Sequence, residues 1–196
     1  MSRALIAVAA AALFAAGSPS ATAQSTGVDR ALWDLQASKT RECDAAGMAR
    51  CWYLFFASNE APHRQLWLAD IKVRNPEPGN ADLIEIDINH LHEGDDPAVK
   101  GSYDFVLYTL QFQCRQKKYR VVDGFALNLD GSIEAYTGAK EWHGGYEDTW
   151  VGLAGKIACE KKYYLAPDAN NLRFFGDFHR PVDAADVIRS LLWKPR

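Results

Sequence analysis

His90 and His92 stand at i and i+2 in the stretch NHLHEGDD, with Glu93, Asp95 and Asp96 close behind. On an extended strand, residues two apart share a face. Two imidazoles with a carboxylate form a donor set that zinc or copper accepts. The spacing fixes no third ligand, and a strand end running into a solvated acidic loop has the same composition. The pattern makes His90, His92 and Glu93 candidates for a metal site without defining one. A metal-binding protein or a metal-dependent hydrolase centred on His90 and His92 is one function that would follow.

A second cluster is basic. LQFQCRQKKYRVV carries Arg115, Lys117, Lys118 and Arg120, whose charge could attract anionic sugars or phosphates. Alternation points Lys118 and Arg120 to one side and leaves the other two in a turn, which is how a charged hairpin turn also reads. Trp142 adds an aromatic surface that a partner could touch. Glu134, Glu141 and His143 lie on or beside one strand and could form an acid–base group, but parity sets Trp142 opposite the latter two, as on an exposed polar face. GxSxG, HExxH, the phosphate loop GxxxxGK[ST] and GxGxxG are all absent from the sequence. The sequence therefore names no catalytic residue and calls for no cofactor.

Cys43, Cys51, Cys114 and Cys159 are the remaining reactive side chains. A zinc site would show CxxC or a regular histidine spacing, and a catalytic thiol would need a histidine base and protection from oxidation. An even count in an exported chain reads instead as two disulfides. Four cysteines allow three pairings. Cys43–Cys51 and Cys114–Cys159 are preferred, because the first two flank the short loop DAAGMAR and the other two bracket a compact unit. Closing the longer loop is worth about 4 kcal/mol in the chain-entropy model.

Export itself is read from MSRALIAVAAAALFAAGSPSATAQ. Arg3 forms the charged start, Ala4 to Ala16 the apolar centre, and Ala21-Thr22-Ala23 the small-residue cleavage site, with a cut expected before Gln24. The apolar part is shorter than the roughly 20 residues that span a bilayer. No cysteine follows the cut, so no lipid anchor is expected. A chain free of the membrane, periplasmic or secreted, is the expectation. Lys and Arg total 22 against 25 Asp and Glu, which lacks the basic excess of a nucleic-acid binder.

The elements that must position these residues follow from periodicity. CWYLFFAS reads as an aromatic strand, and QLWLADIKV as a second with Trp67, Ala69, Ile71 and Val73 on one face. LIEIDINHL alternates cleanly, with Ile84, Ile86 and Ile88 opposite Glu85, Asp87 and Asn89, as a half-buried antiparallel strand does. In YDFVLYTLQFQC, Val106, Tyr108, Leu110, Phe112 and Cys114 share the parity expected to be buried. YRVVDGFALNL and IEAYTGAKEW continue a meander through the hairpin signal LDGS. EDTWVGLAGKIACE has helical spacing at Trp150, Leu153, Ala154 and Ile157. A last helix is expected with Asp183 as its cap and a stripe of Ala184, Val187, Ile188 and Leu191. A further short helix is expected at ALWDLQAS. The fold class is α+β: an antiparallel sheet of about six strands in a meander, with helices packed on one side and disulfide staples.

The run from WYLFFASNEAPHRQLWLAD to KIAC resembles the surface-adhesin protein E-like domain of exported bacterial proteins. The matching features are Trp52 and Tyr53, Asp70 after an aromatic strand, the strand ending in Cys114, the basic turn, Asp130 and Gly131, Trp142, and a helix ending at Cys159. The resemblance covers about half the chain and implies the same sheet and helix, the Cys114–Cys159 bridge and no catalytic centre. The chain then divides into a signal peptide (1–23), an N-terminal extension (24–50), the stretch that resembles the E-like domain (51–160) and a C-terminal extension (161–196) whose helix is expected to pack on that domain. A non-enzymatic binding module contacting an extracellular or envelope protein or a glycan is the leading expectation, with Arg115, Lys117, Lys118 and Arg120 of the basic cluster and Trp142 as the candidate contact residues. A purely structural envelope component is the remaining alternative.

Overall fold

The computed structural model describes residues 50–59, 63–93, 103–160, 162–163, 172–178, 180–191 and 193. The signal-like start, ALWDLQAS, Cys43, Asp95 and Asp96 lie outside the described residues. β-branched and aromatic residues in alternation build strands β1 (Arg50–Ser58), β2 (Gln65–Asp70), β3 (Leu83–His92), β4 (Tyr103–Gln113), β5 (Lys118–Asn128), β6 (Ile133–Thr137) and β7 (Arg173–Phe178). They form one seven-stranded sheet in the order β6-β5-β4-β3-β2-β1-β7. All the pairings are antiparallel. The first six strands are a meander, and β7 returns to lie beside β1, so chain beyond residue 160 completes the same sheet.

The turns follow local chemistry. In LDGS, Gly131 takes φ 84° and the Asp130 carboxylate accepts the Ser132 amide at 2.8 Å. IEAYTGAKEW, expected as one strand, stops at Thr137. A Cβ at Gly138 would fall 1.7 Å from the Val121 carbonyl, and the chain there leaves the ladder. It returns only as a single bridge between Tyr119 and His143.

Helix α1 (Trp150–Cys159) and helix α2 (Pro181–Leu191) lie on opposite faces of the sheet, not on one side. On the first face Val151, Ala154, Ile157 and Ala158 of α1 pack with Tyr53, Ala69, Ile86, Leu110 and Phe112. On the second, Ala184, Ala185 and Ile188 of α2 pack with Trp52, Leu54, Leu68, Leu91 and Phe105. The reason is written in β1 and β4. CWYLFF and FVL are apolar at both parities, and a strand of that kind must be covered twice. The α2 helix starts at Pro181, a favoured first helical residue. Asp183 is therefore inside the first turn and not the cap; its carboxylate reaches back to the Arg180 amide at 3.3 Å.

Double cover also changes β3. Asp87 and Asn89, expected to face water, are 2% and 0% exposed. Asn89 donates to the Pro181 carbonyl at 3.0 Å, at the first residue of α2. Asp87 accepts bonds from Arg74 at 2.7 and 3.0 Å, from the Thr109 hydroxyl at 3.0 Å, and from Arg50. Burial works to raise the Asp87 carboxyl, and these guanidiniums with the hydroxyl overcome it and hold it below the ordinary carboxylate range. Asp70, also buried, is pushed the other way by desolvation, although the Cys51 and Lys72 amides bond to it at 3.0 and 3.1 Å.

Candidate functional site

Cys114 and Cys159 form a disulfide with Cα atoms 5.6 Å apart, joining the end of β4 to the end of α1. Cys51 is also disulfide-bonded; Cys43, expected as its partner, lies outside the described residues. The sulfurs of Cys114 and Cys159 hold the helix on the first face and leave no thiol there for chemistry. The helix occupies only part of that face. Beyond its first residue, Trp150, the sheet carries rings.

Their arrangement is set by strand register. Trp67 on β2 lies opposite His90 on β3, and the two rings stack at 4.1 Å with planes 13° apart. His92 follows on the same face with its ring 4.3 Å from His90, as the i, i+2 spacing requires. The Tyr103 hydroxyl lies 3.1 Å from His92 Nε2. Tyr108 on β4 stands beside Trp150, and Trp150 also approaches Trp67, both at 6.1 Å. Across β5 comes Gly124, then Tyr136 on β6, whose ring is 6.0 Å from Tyr108. A Cβ at Gly124 would sit 2.4 Å from the Leu107 carbonyl and 2.5 Å from the Tyr136 hydroxyl. The missing side chain is what lets Tyr136 cross to the cluster and donate to the Leu107 carbonyl at 3.3 Å.

His90 and Trp67 form the buried floor, while Phe56, His92, Tyr103, Tyr108, Tyr136 and Trp150 are half-buried around them. Two floor atoms, His90 Nε2 and Trp67 Nε1, have no hydrogen-bond partner among the described residues. Burial holds the His90 imidazole well below its ordinary value, and the neighbouring His92 adds to the effect, so the ring is neutral. Burial likewise pushes the Tyr108 and Tyr136 phenols up, so both keep their protons. The cluster thus offers flat ring faces, with the Tyr108 and Tyr136 phenols protonated and the His90 imidazole neutral.

Among the described residues no set of three His, Cys, Asp or Glu side chains is placed to hold a metal ion. Glu93, the carboxylate expected beside the histidines, is held by Arg64 in an ion pair. The basic turn is spread out. Arg115 and Lys117 sit 3.9 Å from Asp82 and Glu147, and Lys118 is exposed on β5. Arg120 is engaged: its guanidinium lies 4.6 Å over the Trp142 ring and donates to Gln111 at 2.7 and 3.0 Å. Trp142, expected as an open aromatic, has that face covered and is half-buried. Glu134 accepts from Asn128 at 3.2 Å, whereas Glu141 and His143 are exposed after the strand has ended; the three do not form one group.

Comparisons with protein-family models, curated proteins and solved structures returned no match for this chain. The ring cluster is thus read from its own geometry. Sequence reasoning had His90 and His92 but placed Trp67 and Trp150 only as core-facing positions and left Tyr103 and Tyr136 unused. The usable signal was parity: Trp67, His90 and Tyr108 occupy the same face once β2, β3 and β4 are paired in order.

Proposed function

We propose that this chain is an exported, non-enzymatic recognition module of the surface-adhesin E-like type, acting in the periplasm or outside the cell, and that its ligand seats on the ring cluster beyond α1. The observation that carries the reading is a half-buried aromatic and imidazole array over a floor whose His90 Nε2 has no hydrogen-bond partner among the described residues. Binding sites combine apolar ring surface with a few placed polar groups, and this array has that composition. The basic turn supports recognition less well, because Arg120 is already committed to Gln111 and Trp142.

The test is retention of the mature chain on immobilised envelope fractions. Trp150→Ala should abolish retention, and a Lys117→Ala, Lys118→Ala double variant should keep it. Retention unchanged by Trp150→Ala would reject the site. A metal-binding reading keeps one observation in its favour, the two imidazole rings 4.3 Å apart. Zinc or copper held through dialysis by the wild type and lost in His92→Ala would replace the recognition reading.

A further inference from the structure

Strand β6 ends the sheet, and no strand among the described residues pairs with its outer side. At its two ends the Ser132 carbonyl accepts the Asn128 amide and the Gly138 amide donates to the Val122 carbonyl, both at 2.8 Å and both toward β5. Backbone direction alternates along an antiparallel strand, so Ile133, Ala135 and Thr137 turn their N–H and C=O groups outward. Proteins commonly blunt such an edge with charges, a proline or a bulge. The opposite edge, β7, carries Arg173 and Asp177 and shifts register against β1. Strand β6 reads IEAYT, with Glu134 its single charge, and pairs with β5 without a shift. Ile133 is 67% exposed, the large apolar side chain left open among the described residues.

We propose that this edge joins a second copy of the chain, β6 to β6, in an antiparallel dimer with its two-fold at Ala135. The outward groups set the register. A two-fold at Glu134 or Tyr136 would present backbone groups that β5 already holds, and at Glu134 it would set two carboxylates face to face. At Ala135 each copy's Ala135 pairs with the other's, and Ile133 pairs with Thr137 of the second copy, so every outward group of the strand is bonded. Ile133 then meets a β-branched side chain on the face where its neighbour Leu127 packs with the α2 cluster. Each Glu134 stands opposite Tyr136 of the second copy, and no like charges are directly opposed. One patch serves both copies, the closed arrangement of a two-fold dimer. The axis is normal to the sheet, so both ring clusters look the same way; the dimer does not depend on what they bind.

Paired strands of five residues bury little area, so dissociation is expected at about 10–100 µM. Sedimentation of the mature, oxidised protein across that range should show a rise from one chain to two. Ala135→Pro should leave a single chain throughout with an unchanged thermal midpoint, because that amide faces away from β5. Ile133→Lys should weaken association by about tenfold or more. A short bismaleimide should link two copies through Ala135→Cys and not through Glu77→Cys, an exposed position in another loop. This linkage upholds the dimer even if Ala135→Pro lowers the thermal midpoint. A single chain at every concentration overturns the proposal, and slow exchange of the Ala135 amide in that case would assign the edge to the chain's own residues outside those described. A dimer indifferent to both Ala135→Pro and Ile133→Lys overturns it as well.

Discussion

At the scale of the residue, His90 decides how the molecule answers to acid. Its neutral ring is stacked on Trp67, buried, and next to a second imidazole. Below about pH 6.5 the unfolded chain takes up a proton at this position, whereas the folded ring, with its lowered pKa, does not. The contribution to stability is therefore complete above that pH and is lost as pH falls through the folded value. His90→Phe keeps a ring against Trp67 and removes the titration. Urea denaturation at pH 7.5 and pH 5 should show a pH-dependent loss smaller in the variant by up to about 2 kcal/mol. Equal losses would mean the ring already protonates freely in the fold. Asp87, held low by Arg74 and Arg50, adds a loss in the same direction only at more acidic pH, and Asp70, raised by burial, opposes it.

At the scale of the element, β5 and α1 set the shape of the site. The Gly124 position admits no Cβ without moving the β4 backbone or the Tyr136 ring. Gly124→Ala should cost about 1–3 kcal/mol, as overpacking does, and should free the Tyr136 phenol to titrate nearer its ordinary value. Thermal unfolding and ultraviolet phenol titration read the two effects. The Cys114–Cys159 bridge is the corresponding constraint on the helix. Replacing both cysteines by serine should lower unfolding free energy by up to about 4 kcal/mol. Hydrogen exchange should show α1 losing protection before the central strands, because the helix is then held by packing alone. Uniform loss of protection would show that helix and sheet open as one unit.

At the scale of the whole molecule, the sheet is a middle layer. The α2 helix closes the second face through Ala184, Ala185 and Ile188, all at most 1% exposed. Ile188→Ala should therefore cost about 2–5 kcal/mol, the range for a large-to-small change in a core, measured as a shift in the urea midpoint. A cost near zero would mean α2 is a peripheral appendage. No helix among the described residues is long and apolar enough to cross a membrane. The polar row from Arg74 through Glu85 and Gln111 to Arg120 covers the part of the second face that apolar packing with α2 leaves. Each member bonds the next, so the ends of the central strands carry polar side chains without leaving them unpaired.

The Cys114–Cys159 pairing was preferred among three because the two cysteines bracket one compact unit; strands β1 to β6 and the α1 helix were legible in the sequence, because period-2 and period-3.6 patterns are local signals that each segment carries by itself. His90 and His92 sharing a face was legible for the same reason. The sequence left open which face each helix takes, that Asp87 and Asn89 are buried, and that β7 joins β1, since these depend on segments far apart in the chain covering one another. The ring cluster belongs to this second group. Trp67, His90, Tyr108, Tyr136 and Trp150 meet only when strand register and a glycine-sized gap bring four strands and a helix end together, and that is a property of the packed molecule with no local pattern to announce it.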